Sequence, residues 1–122
     1  MSAVGVAGCG RMGLPMARAM QAAGLEVWGL DVRPATAFGD FAPRMVADPA
    51  EFAARCETVL TVVRDRAQTE AVLFDDQALL RHRGRIGTLV VCSTLSPRYL
   101  ETLPGRMPEG IRLIDAPMSG AP

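Results

Sequence analysis

Six residues, Gly8-Cys9-Gly10-Arg11-Met12-Gly13, constrain this chain more than any other stretch, because they follow directly on the apolar run Ala3 to Ala7. The pattern predicts a strand that turns sharply into a helix whose N-terminus is left open to an anion. Gly8 permits the tight turn, Gly10 has no side chain to hold a diphosphate off the backbone, and Gly13 lets helix and strand pack closely. Exposed N–H groups and the positive end of the helix dipole then favour a phosphate. Spacing alone also fits an ordinary glycine-rich turn, so the flanking residues decide.

They support the first reading. Ala3-Val4-Gly5-Val6-Ala7 is short and small-to-apolar, as a strand buried on both faces requires. Leu14, Met16, Ala17, Met20 and Ala23 recur near the helical period, and Gly24 supplies a stop. Glu26-Val27-Trp28-Gly29-Leu30 reads as a second strand ending at Asp31. The interval from Gly13 to Asp31 is close to the roughly 20 residues that separate such a loop from a ribose-binding carboxylate. A carboxylate accepts from both ribose hydroxyls and repels a 2′-phosphate, which favours NAD as the cofactor. Arg33 keeps NADP open, since a guanidinium two residues on can hold a phosphate or lie over the adenine.

Composition sets the bounds. At 122 residues the chain fits one domain with a real core, and 49% hydrophobic residues suit a globular α/β protein. Thirteen acids balance thirteen bases, so neither nucleic acid nor an anionic membrane is expected as a partner. Cys9, Cys56 and Cys92 are odd in number and lack metal-ligand spacing, so no metal site is expected and buried, reduced thiols are. Cys9, inside the glycine loop, is the one candidate for a reactive thiol. With no signal-like N-terminus and no apolar run near the ~20 residues of a membrane span, the expected setting is soluble and reducing, most simply cytoplasmic.

Further along, Pro34 can open a short helix through Phe38, and Arg44-Met45-Val46 reads as a brief third strand. Asp48-Pro49-Ala50-Glu51 starts a helix to about Cys56. Thr58 to Val63 is β-branched and apolar, hence a central strand. Arg64-Asp65-Arg66 breaks it. A helix from Ala67 to Phe74 follows, with Ala71, Val72 and Phe74 inward, then another turn or two from Asp75 to Leu80. Arg81-His82-Arg83-Gly84-Arg85 reads as a solvated loop, with the lone histidine outside any site. Gly87 to Cys92 is the fifth strand, delivering Ser93 and Thr94 to its carboxyl end. Ser96-Pro97 starts a helix toward Leu103, and Ile111 to Asp115 is the sixth strand.

Six strands alternating with helices predict an α/β fold: one three-layer domain around a doubly wound parallel sheet, in strand order 3-2-1-4-5-6. Ligands there collect at the strands' carboxyl ends, near the switch point between strands one and four. Gly8 to Gly13, Asp31-Val32-Arg33, Val63-Arg64-Asp65, Ser93-Thr94 and Pro117 to Gly120 all fall at that edge.

Three stretches in order carry a resemblance: Gly8-Cys9-Gly10-Arg11-Met12-Gly13-Leu14-Pro15-Met16-Ala17, Cys92-Ser93-Thr94-Leu95-Ser96-Pro97, and Asp115-Ala116-Pro117-Met118-Ser119-Gly120. Together they resemble the 3-hydroxyisobutyrate dehydrogenase, or β-hydroxyacid dehydrogenase, family, whose relatives include 6-phosphogluconate dehydrogenase. The resemblance implies a Rossmann-type NAD-binding domain of an oxidoreductase. Its reaction would be hydride transfer between nicotinamide and a small 3-hydroxy acid or its semialdehyde. It implies that Gly8, Cys9, Gly10, Arg11, Met12, Gly13 and Asp31 hold the adenosine and diphosphate, and Val32 and Arg33, beside that carboxylate, are counted with them as cofactor-binding. Val63 and Arg64 would line the cofactor, Thr94 would meet the nicotinamide side, and Ser119 and Gly120 would hold the substrate carboxylate.

Departures from the family pattern are Cys9 for a usual leucine, Ala19 for an asparagine and Arg64 for a proline. The family's acid/base is a lysine on a later helix, followed by a helical domain that closes the site and forms the dimer; the chain contains no lysine. The expectation is therefore residues 1–122 as a cofactor domain without the catalytic and dimerisation domain. It would have no catalytic residue, no turnover by itself, and a homo-oligomer only when complete. Alternatives are a stand-alone nucleotide-binding or regulatory module, and the cofactor domain of an imine reductase.

Overall fold

The computed structural model describes residues 3–118, so Ser119 and Gly120 lie outside the described residues. Five parallel strands form the sheet: β1 (Val4–Ala7), β2 (Val27–Leu30), β3 (Thr58–Thr61), β4 (Thr88–Val91) and β5 (Arg112–Asp115), in spatial order β2-β1-β3-β4-β5. Ala7 stands beside Leu30 on one side and Thr61 on the other, and Thr61 beside Val91, so the strands' carboxyl ends are level.

The α/β doubly wound reading holds with one correction. Arg44-Met45-Val46 forms no strand; a single parallel bridge, Gly29 to Met45, is all that remains of it. The cause is local. A 3-10 segment, Ala35–Arg44, runs up to Met45, and the Asp48 cap of the next helix begins three residues later, leaving room for one rung. That segment breaks at Phe38 and Gly39, where the short helix was expected to end, and then resumes for another turn.

The helices are α1 (Gly13–Ala22), α2 (Pro49–Arg55), α3 (Arg66–Leu73), α4 (Leu79–His82) and α5 (Pro97–Leu100). Side chains alternate across the sheet and build two cores. On one face Ala17 of α1 and Phe38 and Phe41 of the 3-10 segment cover Val6, Val27 and Val62. On the other, Phe52, Leu73, Leu79 and Leu103 cover Ala7, Val59, Leu89 and Val91. At ~1.5–3 kcal/mol for each fully buried large apolar side chain, these two faces are what hold the sheet.

The helix ends follow their sequence signals. Gly24 adopts φ 97° after α1, with Gly24 N–H donating to Gln21 O (3.0 Å) and Leu25 N–H to Met20 O (3.1 Å), the paired bonds of a Schellman stop. Asp48 accepts from Ala50 N–H and Ser96 from Tyr99 N–H, each followed by a proline in the first turn. In α3 it is Leu73 that is fully buried; Phe74 is half-buried, with the Arg106 guanidinium 3.7 Å from its ring centre. His82 ends α4, which feeds the amino end of β4, so the histidine sits at the opposite end of the sheet from the glycine loop.

Candidate dinucleotide site

The site starts where β1 ends. Gly8 has φ 99°, a conformation that disfavours any side chain, and a Cβ there would overlap Val62 O and stand 2.8 Å from Val63 Cγ1. Gly13 opens α1 so close to the turn that a Cβ would overlap the Gly8 carbonyl. A Cβ on Gly10, by contrast, would meet nothing within 4 Å. Two glycines therefore pull the helix onto the strand, and the third faces open space, where a diphosphate would need bare backbone.

The helix start is uncapped. Met12 occupies the cap position without a side-chain hydrogen bond, and the first turn carries no acid. Gly8 N–H donates to Leu30 O and Leu14 N–H to Gly10 O, while Gly10, Arg11 and Met12 N–H groups have no partner among the described residues. Donors left free at a positive helix end suit a phosphate, so the loop fits the dinucleotide.

Asp31 reaches this loop directly. Its Oδ2 accepts from Cys9 N–H at 2.8 Å, and its Oδ1 accepts from Arg33 N–H at 3.0 Å and Arg33 Nε at 3.1 Å. Arg33 Nη2 donates to Cys9 O at 3.0 Å. Burial alone would raise the Asp31 carboxyl, but the Arg33 and Cys9 hydrogen bonds outweigh it and hold the group below its ordinary range. Val32, between them, is 86% exposed, an apolar side chain standing at the rim beside the carboxylate.

On the other side of β1 the row continues. Ser93 Oγ donates to Val63 O at 2.5 Å and accepts from Val63 N–H at 3.3 Å, tying the end of β3 to the end of β4. Thr94, exposed, donates to Met118 O at 3.3 Å. The structure thus brings together Arg33, Asp31, Cys9, Gly8, Val63 and Thr94 in one line along the carboxyl edge. Arg64 is exposed beyond it, its N–H on Gln68 Oε1, and among the described residues its guanidinium makes no hydrogen bond or ion pair that joins the row. Asp65 caps α3 through Gln68 N–H (2.9 Å), so its carboxylate is spent locally.

Sequence reasoning missed two supports. The Asp65 cap with Gln68 three residues on is a legible helix-start signal, hidden here by the flanking arginines. The Ser93 clasp on Val63 spans thirty residues, and no local pattern announces it. A second concavity, about 320 Å³ and lined by Glu57, Arg85 and Arg112 among others, lies at the amino end of β3–β5, away from this row.

Cys9 is no nucleophile. It is 1% exposed, and burial, followed by the Asp31 charge, pushes its thiol up to about 12. Burial likewise pushes Cys56 up to about 12 and raises Cys92. A chromogenic disulfide reagent added to the folded chain at pH 8 is expected to leave all three free cysteines unmodified for minutes, and to modify all of them once urea is added. One fast-reacting thiol in the folded state would contradict this burial.

Known proteins resemble this chain in sequence and fold. An L-threonate dehydrogenase of Cupriavidus necator is 38% identical over 122 residues, covering 96% of this chain and 40% of that protein. The solved 3-hydroxyisobutyrate dehydrogenase of Salmonella typhimurium is 31% identical with TM-score 0.76, over 99% of this chain and 43% of that one. An imine reductase of Myxococcus stipitatus, solved with NAD+, shares the fold at TM-score 0.78 and 21% identity, over 99% of this chain and 42% of that one. The chain thus spans about 40% of the length of the curated relatives it matches. The model of the NAD binding domain of 6-phosphogluconate dehydrogenase matches residues 3–122; the chain belongs to this family of NAD-binding domains.

Proposed function

We propose that these residues are the cofactor-holding part of an oxidoreductase that moves a hydride between NAD and a small 3-hydroxy acid or its semialdehyde. The observation that carries the reading is the Asp31 carboxylate, seated on the glycine loop with its charge intact at 2.8 Å from Cys9 N–H. In this reading Gly8 to Gly13 bind the diphosphate through backbone N–H groups, and Asp31 accepts from the adenosine ribose. Val32 and Met12, both exposed, offer apolar surface to the rings. Val63 and Arg64 flank the cofactor, and Thr94 stands on the nicotinamide side.

The nicotinamide, when bound, supplies hydride donation and acceptance; the chain's own part is to place it. As the family resemblance implies, Ser119 and Gly120 would hold the substrate carboxylate with a hydroxyl and an N–H. The proton is another matter. Arginine stays protonated at working pH, Asp65 is engaged as a cap, and the sequence has no lysine. On the same resemblance, we assign the acid/base to a lysine on a later helix, in a part that in that family also makes the oligomer. Three buried cysteines suit a reducing compartment such as the cytoplasm. Relatives above 30% identity include an L-threonate dehydrogenase, an L-serine dehydrogenase and a solved 3-hydroxyisobutyrate dehydrogenase, while the imine reductase shares the fold at 21%, which supports the hydroxy-acid reading over imine reduction.

Calorimetric titration of the chain with NADH and NADPH tests this. NADH should bind about tenfold or more tightly than NADPH, the expected penalty for a 2′-phosphate beside a charged carboxylate. Added semialdehyde should produce no NADH oxidation. Tighter NADPH binding would overturn the assignment of Asp31, and turnover by the chain alone would overturn the assignment of the acid/base.

A further inference from the structure

The loop after β2 grips the glycine turn by both backbone groups of a single residue. Asp31 takes the Cys9 N–H at 2.8 Å, and Arg33 Nη2 reaches the Cys9 carbonyl at 3.0 Å. The same guanidinium donates through Nε to Asp31 Oδ1 at 3.1 Å and lies 4.8 Å from the ring centre of Phe38, itself buried in the α1-side core. Its fork is thus committed to a carboxylate, a carbonyl and an aromatic face at once.

We propose that Arg33 is a positioning residue: a clasp between the Asp31 carboxylate and the Cys9 carbonyl that holds the diphosphate loop in its binding shape, and not a receptor for a 2′-phosphate. The proposal rests on the NAD-site reading above and adds what sets the loop's geometry. To take up a 2′-phosphate, the guanidinium would have to leave both Cys9 O and Asp31 Oδ1. The carboxylate would then face the phosphate uncompensated, a like-charge pairing that binding must overcome. As a clasp it needs no movement. Its side chain is half exposed, so the ion pair itself adds little to folding, and its effect belongs to the shape of the loop. Lysine cannot substitute, because one ammonium cannot present two fixed, diverging donors to a carboxylate and a carbonyl.

The test is calorimetric titration of NADH and NADPH against the wild-type chain, Arg33→Ala and Arg33→Lys, with a thermal melt of each. The clasp predicts that Arg33→Ala melts within a few degrees of wild type yet loses about tenfold in NADH affinity, as expected when a binding group is left poorly positioned. NADPH should weaken by a similar factor, and Arg33→Lys should recover less than half of the loss. A loss confined to NADPH, an NADH affinity within about twofold of wild type in Arg33→Ala, or full rescue by lysine would each overturn the clasp. If wild type binds neither dinucleotide, the NAD-site reading itself fails and takes the clasp with it; if wild type binds NADH and Arg33→Ala binds it equally, only the clasp fails.

Discussion

Gly13→Ala should lose both NADH binding and stability, whereas Gly10→Ala should lose binding alone. The two substitutions add the same methyl group a few residues apart, but into different surroundings. At Gly13 the new Cβ would overlap the Gly8 carbonyl, a backbone atom that cannot swing aside, so α1 must move off β1. Overpacking of this kind costs about 3 kcal/mol at the upper end of its usual range, and a displaced helix start no longer aims its N–H groups at the loop. At Gly10 the Cβ meets nothing within 4 Å, so folding is untouched. It instead occupies the space that a diphosphate needs, and NADH affinity should fall by at least about tenfold, the factor that each ~1.4 kcal/mol of lost contact represents. Urea melts and NADH titrations of both variants check this. Wild-type NADH affinity in Gly10→Ala would mean that the crest of the loop does not face the cofactor.

Asp31→Asn should weaken NADH about ten- to a hundredfold, the worth of a charge-assisted hydrogen bond with its charge removed, while leaving NADPH less affected. Asparagine keeps an oxygen for the Cys9 N–H but turns an NH2 toward the Arg33 N–H and Nε donors, so the change removes the charge together with the Arg33 bonds to it. The preference between cofactors should narrow by the ratio of the two losses. The pH dependence has a definite sign. Burial raises this carboxyl, but the Arg33 and Cys9 bonds lower it further, so its folded value lies below the ordinary range. A depressed carboxylate contributes stability that is fully present above its unfolded value of about 3.9 and is lost as pH falls through the lower folded value. NADH affinity attributable to Asp31 should therefore be flat from pH 7 to about pH 4 in wild type. A decline between pH 7 and 5 would show that the carboxylate is not the charged group at the ribose.

Much of this was legible because the informative signals are local. Three glycines, a carboxylate one strand later and proline-marked helix starts each follow from a few neighbouring residues. β1, β2, β3, β4 and β5 fall inside the apolar runs that predict them. The third strand failed for a reason that propensity does not weigh: Met45 lies between a 3-10 segment and a helix cap, with no length left to pair. On α3 Val72 is buried as expected and Ala71 and Phe74 are half-buried, while the fully buried Leu73 was not foreseen; Arg106, from thirty-two residues away in the chain, lies over the Phe74 ring. Long-range partners account for the rest. Ser93 on Val63 and Arg33 on the Cys9 carbonyl are side chains meeting backbone across the sheet's edge, and no spacing rule foretells such a meeting. The role of Arg33 was open in the sequence between phosphate and adenine, and the structure adds a third occupation for it.

The central claim is that a dinucleotide lies on the bare backbone between β1 and α1, with its adenosine ribose on Asp31. Amide chemical shifts of the 15N-labelled chain, followed through an NADH titration, address it most directly. The account predicts the largest shifts at Gly10, Arg11 and Met12, whose N–H groups have no partner among the described residues, together with Val32 beside the carboxylate. Shifts concentrated instead on Thr58, Arg85 and Arg112, at the amino end of the sheet, would contradict it.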